Sequence, residues 1–158
     1  MKTICFFGHR RIIKTDELAD KLVDLLKNVA FDGKFNFLIG RHGEFDNIAL
    51  NKCLEFRNNF NKDICITIVL TNLSILNKDK NGYNTISIFE KMDCETLIYE
   101  IEEVHFKNRI TFSNRKMVDN SDLVVCYVDF NKQNSGAKNA VEYAKKSNKP
   151  IINLFSNQ

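Results

Sequence analysis

The sequence predicts an α/β domain with a mostly parallel central sheet of about five strands between two layers of helix. Three observations carry this. Short apolar and β-branched runs alternate with stretches whose apolar residues recur at helical spacing. Four of the six glycines, Gly8, Gly40, Gly43 and Gly136, fall where an apolar run gives way to a helical stretch. The length of 158 residues suits one domain with one substantial core, so residues 1–158 are read as a single unit.

Thr3–Phe7 is the first strand, apolar enough for burial on both faces. A polar turn follows, Gly8-His9-Arg10-Arg11. Thr15 is placed to cap the next helix, with Asp16 and Glu17 in its first turn. Leu18, Leu22, Leu25, Leu26 and Val29 give that helix one apolar face. Phe35–Ile39 is the second strand, and Gly40-Arg41-His42-Gly43-Glu44-Phe45-Asp46 the second turn. Asp46 is a good N-cap for a helix running to about Asn58, with Ala49, Cys53, Phe56 and Phe60 on one face. Ile64–Leu70 is the third strand, rich in β-branched residues.

Residues 71 to about 108 are punctuated by Asn72, Asn77, Asp79, Asn81 and Gly82, which mark loops. A short helix near Phe89–Met92 is expected within a flexible lid or irregular crossover beside the ligand site. Arg109–Asn120 reads as a helix, Leu123–Asp129 as a strand, Gly136–Lys146 as a helix and Ile151–Leu154 as the last strand. Ligands of such sheets bind beyond the carboxyl ends of the strands, where the connections diverge.

Composition narrows the function. The charge is +3, from 23 basic and 20 acidic residues, with no basic stripe interleaved with aromatics, so nucleic acid is not an expected partner. No apolar run approaches a membrane span. The apolar stretch at the N-terminus is only about five residues, against the ~7–15 of a secretory core, so it reads as a strand and the protein as cytoplasmic. The five cysteines are irregularly spaced, without a C-x-x-C pair; a disulfide framework and a zinc site are disfavoured, and no metal or cofactor is expected.

The candidate site residues follow from the glycine turns. Ser135-Gly136-Ala137 opens a helix at the carboxyl edge of a strand, where unpaired N–H groups and the helix dipole favour a phosphate. Gly8, His9 and Arg10 form a second such turn, with arginine a good fork for phosphate oxygens. In the turn of Gly40 and Gly43, a carboxylate could hold ribose hydroxyls or serve as general base. Asp46 has the capping role to explain it; Glu44 has no local role and is the first catalytic candidate. Glu142 lies well away from the buried stripe of Ala137, Ala140, Val141 and Ala144, which reads as a solvated face or a residue serving a dimer interface.

Four segments together resemble the SLOG superfamily, which includes the YpsA-like proteins, the DprA-like core and the Lonely Guy phosphoribohydrolases. They are F-F-G-H-R at Phe6–Arg10, G-R-H-G-E-F-D at Gly40–Asp46, N-R-K-M-V-D-N-S-D at Asn114–Asp122 and S-G-A-K-N-A-V-E-Y-A at Ser135–Ala144. The resemblance spans nearly the whole chain. It implies a Rossmann-like three-layer fold, a pocket for a nucleotide or nucleotide-derived small molecule, and a homodimer. It also implies that Asn114 and Arg115 lie beside the ligand, with Arg109 and Glu102 or Glu103 near it. Relatives usually carry Gly-Gly at the last turn, where this chain has Ser135-Gly136. Of the phosphoribohydrolase pattern P-G-G-x-G-T-x-x-E, the later glycine and threonine are Lys138 and Asn139, and only Glu142 keeps its place.

The leading expectation is therefore a sensor or ligand-binding protein that takes a nucleotide or nucleotide-derived small molecule at the carboxyl edge of the sheet. The alternative is an N-glycosidic hydrolase of a nucleoside monophosphate. Glu44 would then activate water or hold the ribose, Arg115 would hold the phosphate, Glu142 would assist, and a donor such as His9 would protonate the departing base. A nucleic-acid-handling module, suggested by the DprA-like core alone, is third.

Overall fold

The computed structural model describes residues 1–72, 78–132 and 135–156. It has six strands in one all-parallel sheet. In chain order the elements are β1 (Lys2–Gly8), α1 (Thr15–Val29), β2 (Phe35–Ile39), α2 (Glu44–Asn59), β3 (Ile64–Val69), α3 (Thr85–Lys91), β4 (Glu95–Leu97), α4 (Arg109–Asp119), β5 (Leu123–Tyr127), α5 (Gly136–Lys146) and β6 (Ile151–Asn153). The sheet order is β4-β3-β2-β1-β5-β6, which puts β1 at the centre with β2 on one side and β5 on the other. This is the three-layer, Rossmann-like α/β architecture expected from the alternation of strands and helices.

The period-two alternation of a buried strand divides the core. Ile4 and Phe6 of β1 pack with Leu18, Leu22 and Leu26 of α1 and with Phe45, Ala49, Cys53 and Phe56 of α2. Cys5 and Phe7 point the other way, into Met117 and Val118 of α4 and Ala140, Val141 and Ala144 of α5. The central strands therefore read as continuous apolar runs. The small alanine face of α5 lets that helix lie close against the sheet. Phe6 and Phe37 meet edge to face at 5.4 Å between centroids, joining β1 to β2 within the first core.

The structure corrects the expected elements in five places. The sheet has six strands, because Glu95–Leu97 adds a short edge strand to β3; three residues without an apolar run carry no strand signal. The short helix of this region is α3, Thr85–Lys91, capped by the Asn84 side chain, whose Oδ1 accepts the Ser87 N–H at 2.8 Å. Among the described residues of the 71–108 segment, Phe89 and Ile101 are buried and the chain is tied to β3, so that part is sheet edge and crossover rather than a lid; residues 73–77 of that expectation lie outside the described residues. Thr15 is the first helical residue of α1 and not its cap, which is Lys14. Asp46 does not cap α2, which starts two residues earlier at Glu44 with Gly43 as its cap.

Gly8 and Gly43 explain why the turns above the sheet can close. A β-carbon on Gly8 would stand 2.1 Å from the Phe45 ring. One on Gly43 would stand 2.4 Å from the Arg10 Cα. The loop after β1 and the start of α2 thus interlock at two glycines, and the Glu44 N–H donates to the Arg10 carbonyl at 2.9 Å. Among the described residues no helix is long and apolar enough to cross a membrane.

Candidate functional site

Neighbouring strands β1 and β5 send their following helices to opposite faces, so a crevice opens above their carboxyl ends. A cavity of about 540 Å³ occupies it. Its floor is the end of β1, Phe6 to Gly8, continued by His9, Arg10 and Arg11. One wall is the β2–α2 turn, with Gly40, His42 and Asp46. The other is the start of α5, Ser135 to Ala137, with Lys132 ahead of it. Ile110 and Asn114 of α4 close the side. Turns far apart in sequence, expected separately to contact a ligand, therefore face one space.

The α5 wall is built by its cap. Ser135 has extended backbone, φ −117° and ψ 135°, and its Oγ accepts the Lys138 N–H at 3.3 Å. Serine in place of a first glycine is thus unstrained. The N–H groups of Gly136 and Ala137, first in the helix, have no intrahelical acceptor, and both residues line the cavity.

His9 fastens this cap to the sheet. The Asp129 N–H donates to its Nε2 at 2.8 Å, so that nitrogen carries no proton. The ring proton sits on Nδ1, which donates to Ser135 Oγ at 3.1 Å. The side chain is 5% exposed. Burial pushes its pKa below the usual value, the Lys132 ammonium pushes the same way, and the Asp129 carboxylate opposes both. His9 is a neutral cross-brace with both nitrogens engaged, and it has no proton to spare for a departing base.

The second turn reverses the expected parts of its two carboxylates. Glu44 has a local role after all: its Oε2 accepts the Ile12 N–H at 2.5 Å, clamping the loop after β1 onto the start of α2, and it does not line the cavity. Asp46 does line it. Its Oδ2 accepts the His42 N–H at 2.7 Å, and Gly40 sits so close that an added β-carbon would lie 3.2 Å from the same oxygen. Burial raises the Asp46 pKa to about 6, against the lowering effects of the His42 N–H and the Arg10 charge. His42 beside it is held below its usual pKa by burial and by Arg10. The cavity therefore pairs one carboxyl poised near neutrality with the cations Arg10, Arg11 and Lys132.

Several expected residues sit elsewhere. Arg115 is exposed and lies over the Tyr143 ring, 5.2 Å from its centroid. It lines only a small cleft of about 30 Å³ between α4 and α5, which Asn114 and Gly136 also border. Arg109 Nε donates to the Val104 carbonyl at 3.1 Å, a brace within the crossover. Gly43 is a packing glycine beneath Arg10. Glu142 is exposed and borders neither cavity nor cleft. Conversely, Arg11, His42, Ile110 and Lys132 line the cavity without having been singled out. Arg11 and His42 lie within the two glycine turns, a signal that was there to use; Ile110 and Lys132 carry none.

No protein-family model matches the chain, and no curated protein matches it.

Proposed function

We propose that the chain binds a nucleotide or nucleotide-derived small molecule in the cavity above β1 and β5. One observation carries the reading: the first N–H groups of α5, capped through Ser135, and the side chains of Arg10, Arg11 and Lys132 border a single space. Partial and full positive charge converging on a cavity favour a phosphate. The volume of about 540 Å³ falls in the range of small-molecule sites, ~300–1,000 Å³. Asp46, across from that basic wall, is suited to a ribose hydroxyl or a base nitrogen. The SLOG resemblance agrees with this location, and membership of that superfamily, with its homodimer, is part of the proposal; Glu142 would then serve only across the dimer.

The test is a thermal-shift screen against nucleoside mono-, di- and triphosphates and inorganic phosphate. A ligand at 100 times its Kd stabilises by about 2.7 kcal/mol. The expected hit is a nucleotide whose stabilisation falls to about half, ~1.4 kcal/mol, in Arg10→Ala at the same ligand concentration. No shift from any of them would overturn the reading.

A second reading, hydrolysis of an N-glycosidic bond, is favoured by one observation: the cavity holds a carboxyl whose pKa is raised to about 6. Such a group can exchange a proton near neutral pH. Asp46 would activate the water or protonate the departing base, a part that Glu44 and His9, both engaged internally, are not free to take. Release of free base that survives Glu44→Gln and stops with Asp46→Asn supports this reading. Intact recovery of the bound nucleotide by wild-type protein supports binding alone.

A further inference from the structure

A second cavity of about 560 Å³ adjoins the first. The two share His9, Arg11 and Lys132, so both cations stand at the boundary and face either side. Beyond the boundary the lining is mixed: Ile13, Tyr127 and Phe155 stand among Lys14, Glu17, Asp129 and Ser156. Tyr127 at the end of β5 and Phe155 after β6 meet edge to face, with ring centroids 5.3 Å apart at 82°. Ile13, 95% exposed, borders the same space.

Two carboxylates also border it, and both have partners. Glu17 pairs with Lys14 at 3.6 Å and Lys21 at 2.8 Å. Asp129 accepts the Asn131 N–H at 2.9 Å. Among the described residues neither Arg11 nor Lys132 belongs to a salt bridge. Asp129 keeps its charge against Arg11 and Lys132, so the net charge at the junction is positive, and Tyr127 and Phe155 beyond it offer aromatic surface to a flat ring.

We propose that the two cavities take the two halves of one ligand: a pair of nucleosides joined through a pyrophosphate. The linking phosphates lie at Arg11 and Lys132, one nucleoside fills the first cavity, and the second base rests on Tyr127 and Phe155. Two separate phosphorylated ligands would compete for the same two cations; a linked one uses them once. The inference rests on the nucleotide reading of the first cavity and adds the class of ligand.

The experiment is calorimetric titration of AMP, GMP and their pyrophosphate-linked homodimers into wild-type protein, Phe155→Ala and Ile13→Ser. Ile13 is exposed, so its replacement leaves the fold alone even if loss of Phe155 does not. Stacking of one more base should tighten a homodimer over its monophosphate by about tenfold to a hundredfold. Both variants should shrink that gain while leaving the monophosphate affinity unchanged. Monophosphate binding with no gain for either homodimer overturns this inference and leaves the nucleotide reading standing. A gain that neither variant reduces also overturns it. No binding by any of the four overturns this inference, and together with no shift in the wider nucleotide screen it overturns both.

Discussion

His9 Nδ1 lies 3.1 Å from Ser135 Oγ, although the two residues are 126 positions apart. That one contact makes the cap of α5 depend on the turn after β1. Ser135 Oγ accepts from both His9 and the Lys138 N–H, and its own proton remains to donate. His9 in turn takes the Asp129 N–H, so the two turns of the basic wall are joined by a chain of internal bonds. The wall is therefore set by internal bonds, which would reduce the ordering cost of the proposed nucleotide binding.

The first expected outcome concerns this brace. Ser135→Ala should cost ~1 kcal/mol as a lost cap. His9→Ala should cost ~1–3 kcal/mol, because it leaves the Asp129 N–H without its acceptor. The costs should not add: the double variant should be more stable than their sum implies by ~0.5 kcal/mol or more, since each single change already removes the shared bond. Denaturant unfolding of the four proteins measures this. Strict additivity would mean that the contact contributes nothing.

The glycines divide into two kinds, and substitution should separate them. Gly8→Ala and Gly43→Ala drive a methyl into the Phe45 ring and the Arg10 backbone, and should destabilise by ~2 kcal/mol or more, the larger end of overpacking effects. Gly136→Ala meets nothing within 4 Å. It should leave the melting temperature unchanged or slightly raised. Because Gly136 lines the cavity, the same methyl should weaken nucleotide affinity by on the order of tenfold if a phosphate approaches the helix backbone closely. Unaltered affinity would place the phosphate elsewhere on the wall.

What the sequence displayed depended on how local each feature is. Phe35–Ile39, and the strand expected at Leu123–Asp129 that ends at Tyr127, could be read because strands buried on both faces are largely apolar, Asn36 apart. Glu95–Leu97 could not, since its only claim to be a strand is its pairing with β3. The Ser135 turn was legible from its small residues and position. The choice between Glu44 and Asp46 was not. It turns on where α2 starts, and that is decided by Gly43 closing against Arg10, more than thirty residues earlier. One turn of sequence offers both carboxyls; only the contact with the β1 loop aims one at the cavity and ties the other to Ile12. Ile110 and Lys132 join the site by tertiary placement alone.

The basic residues should likewise separate. Arg10→Ala and Lys132→Ala remove charges bordering the cavity and should each weaken a nucleotide by about tenfold, consistent with a charge-assisted bond of ~1.5–3 kcal/mol. Arg115→Ala should change affinity by less than about twofold, because its guanidinium lies over Tyr143 and outside the cavity. Titration of one nucleotide into the three variants decides it. Loss of binding in Arg115→Ala with retention in Arg10→Ala would move the phosphate to the small cleft between α4 and α5.

The pH dependence of stability should carry opposing signatures of the two turns. Asp46 is raised from 3.8 to about 6 on folding, so its contribution is full below pH 3.8 and lost as pH rises through 6. Buried His9 and half-buried His42 work the other way. Their folded pKa values lie below 6.5, the unfolded chain binds more protons in that range, and their contribution is lost as pH falls below 6.5. In wild-type protein the slopes partly cancel between pH 4 and 6.5. Asp46→Asn keeps an oxygen to accept the His42 N–H but removes the carboxyl. It should raise stability at pH 8 by on the order of 2 kcal/mol, with a gain that vanishes toward pH 4. The variant should also gain stability more steeply with pH up to 6.5, because the histidines then act unopposed. Urea unfolding at half-unit steps of pH tests both features together. An equal effect of Asp46→Asn at every pH would show that Asp46 ionises as freely in the fold as in the unfolded chain, and would remove it as the carboxyl poised for proton exchange.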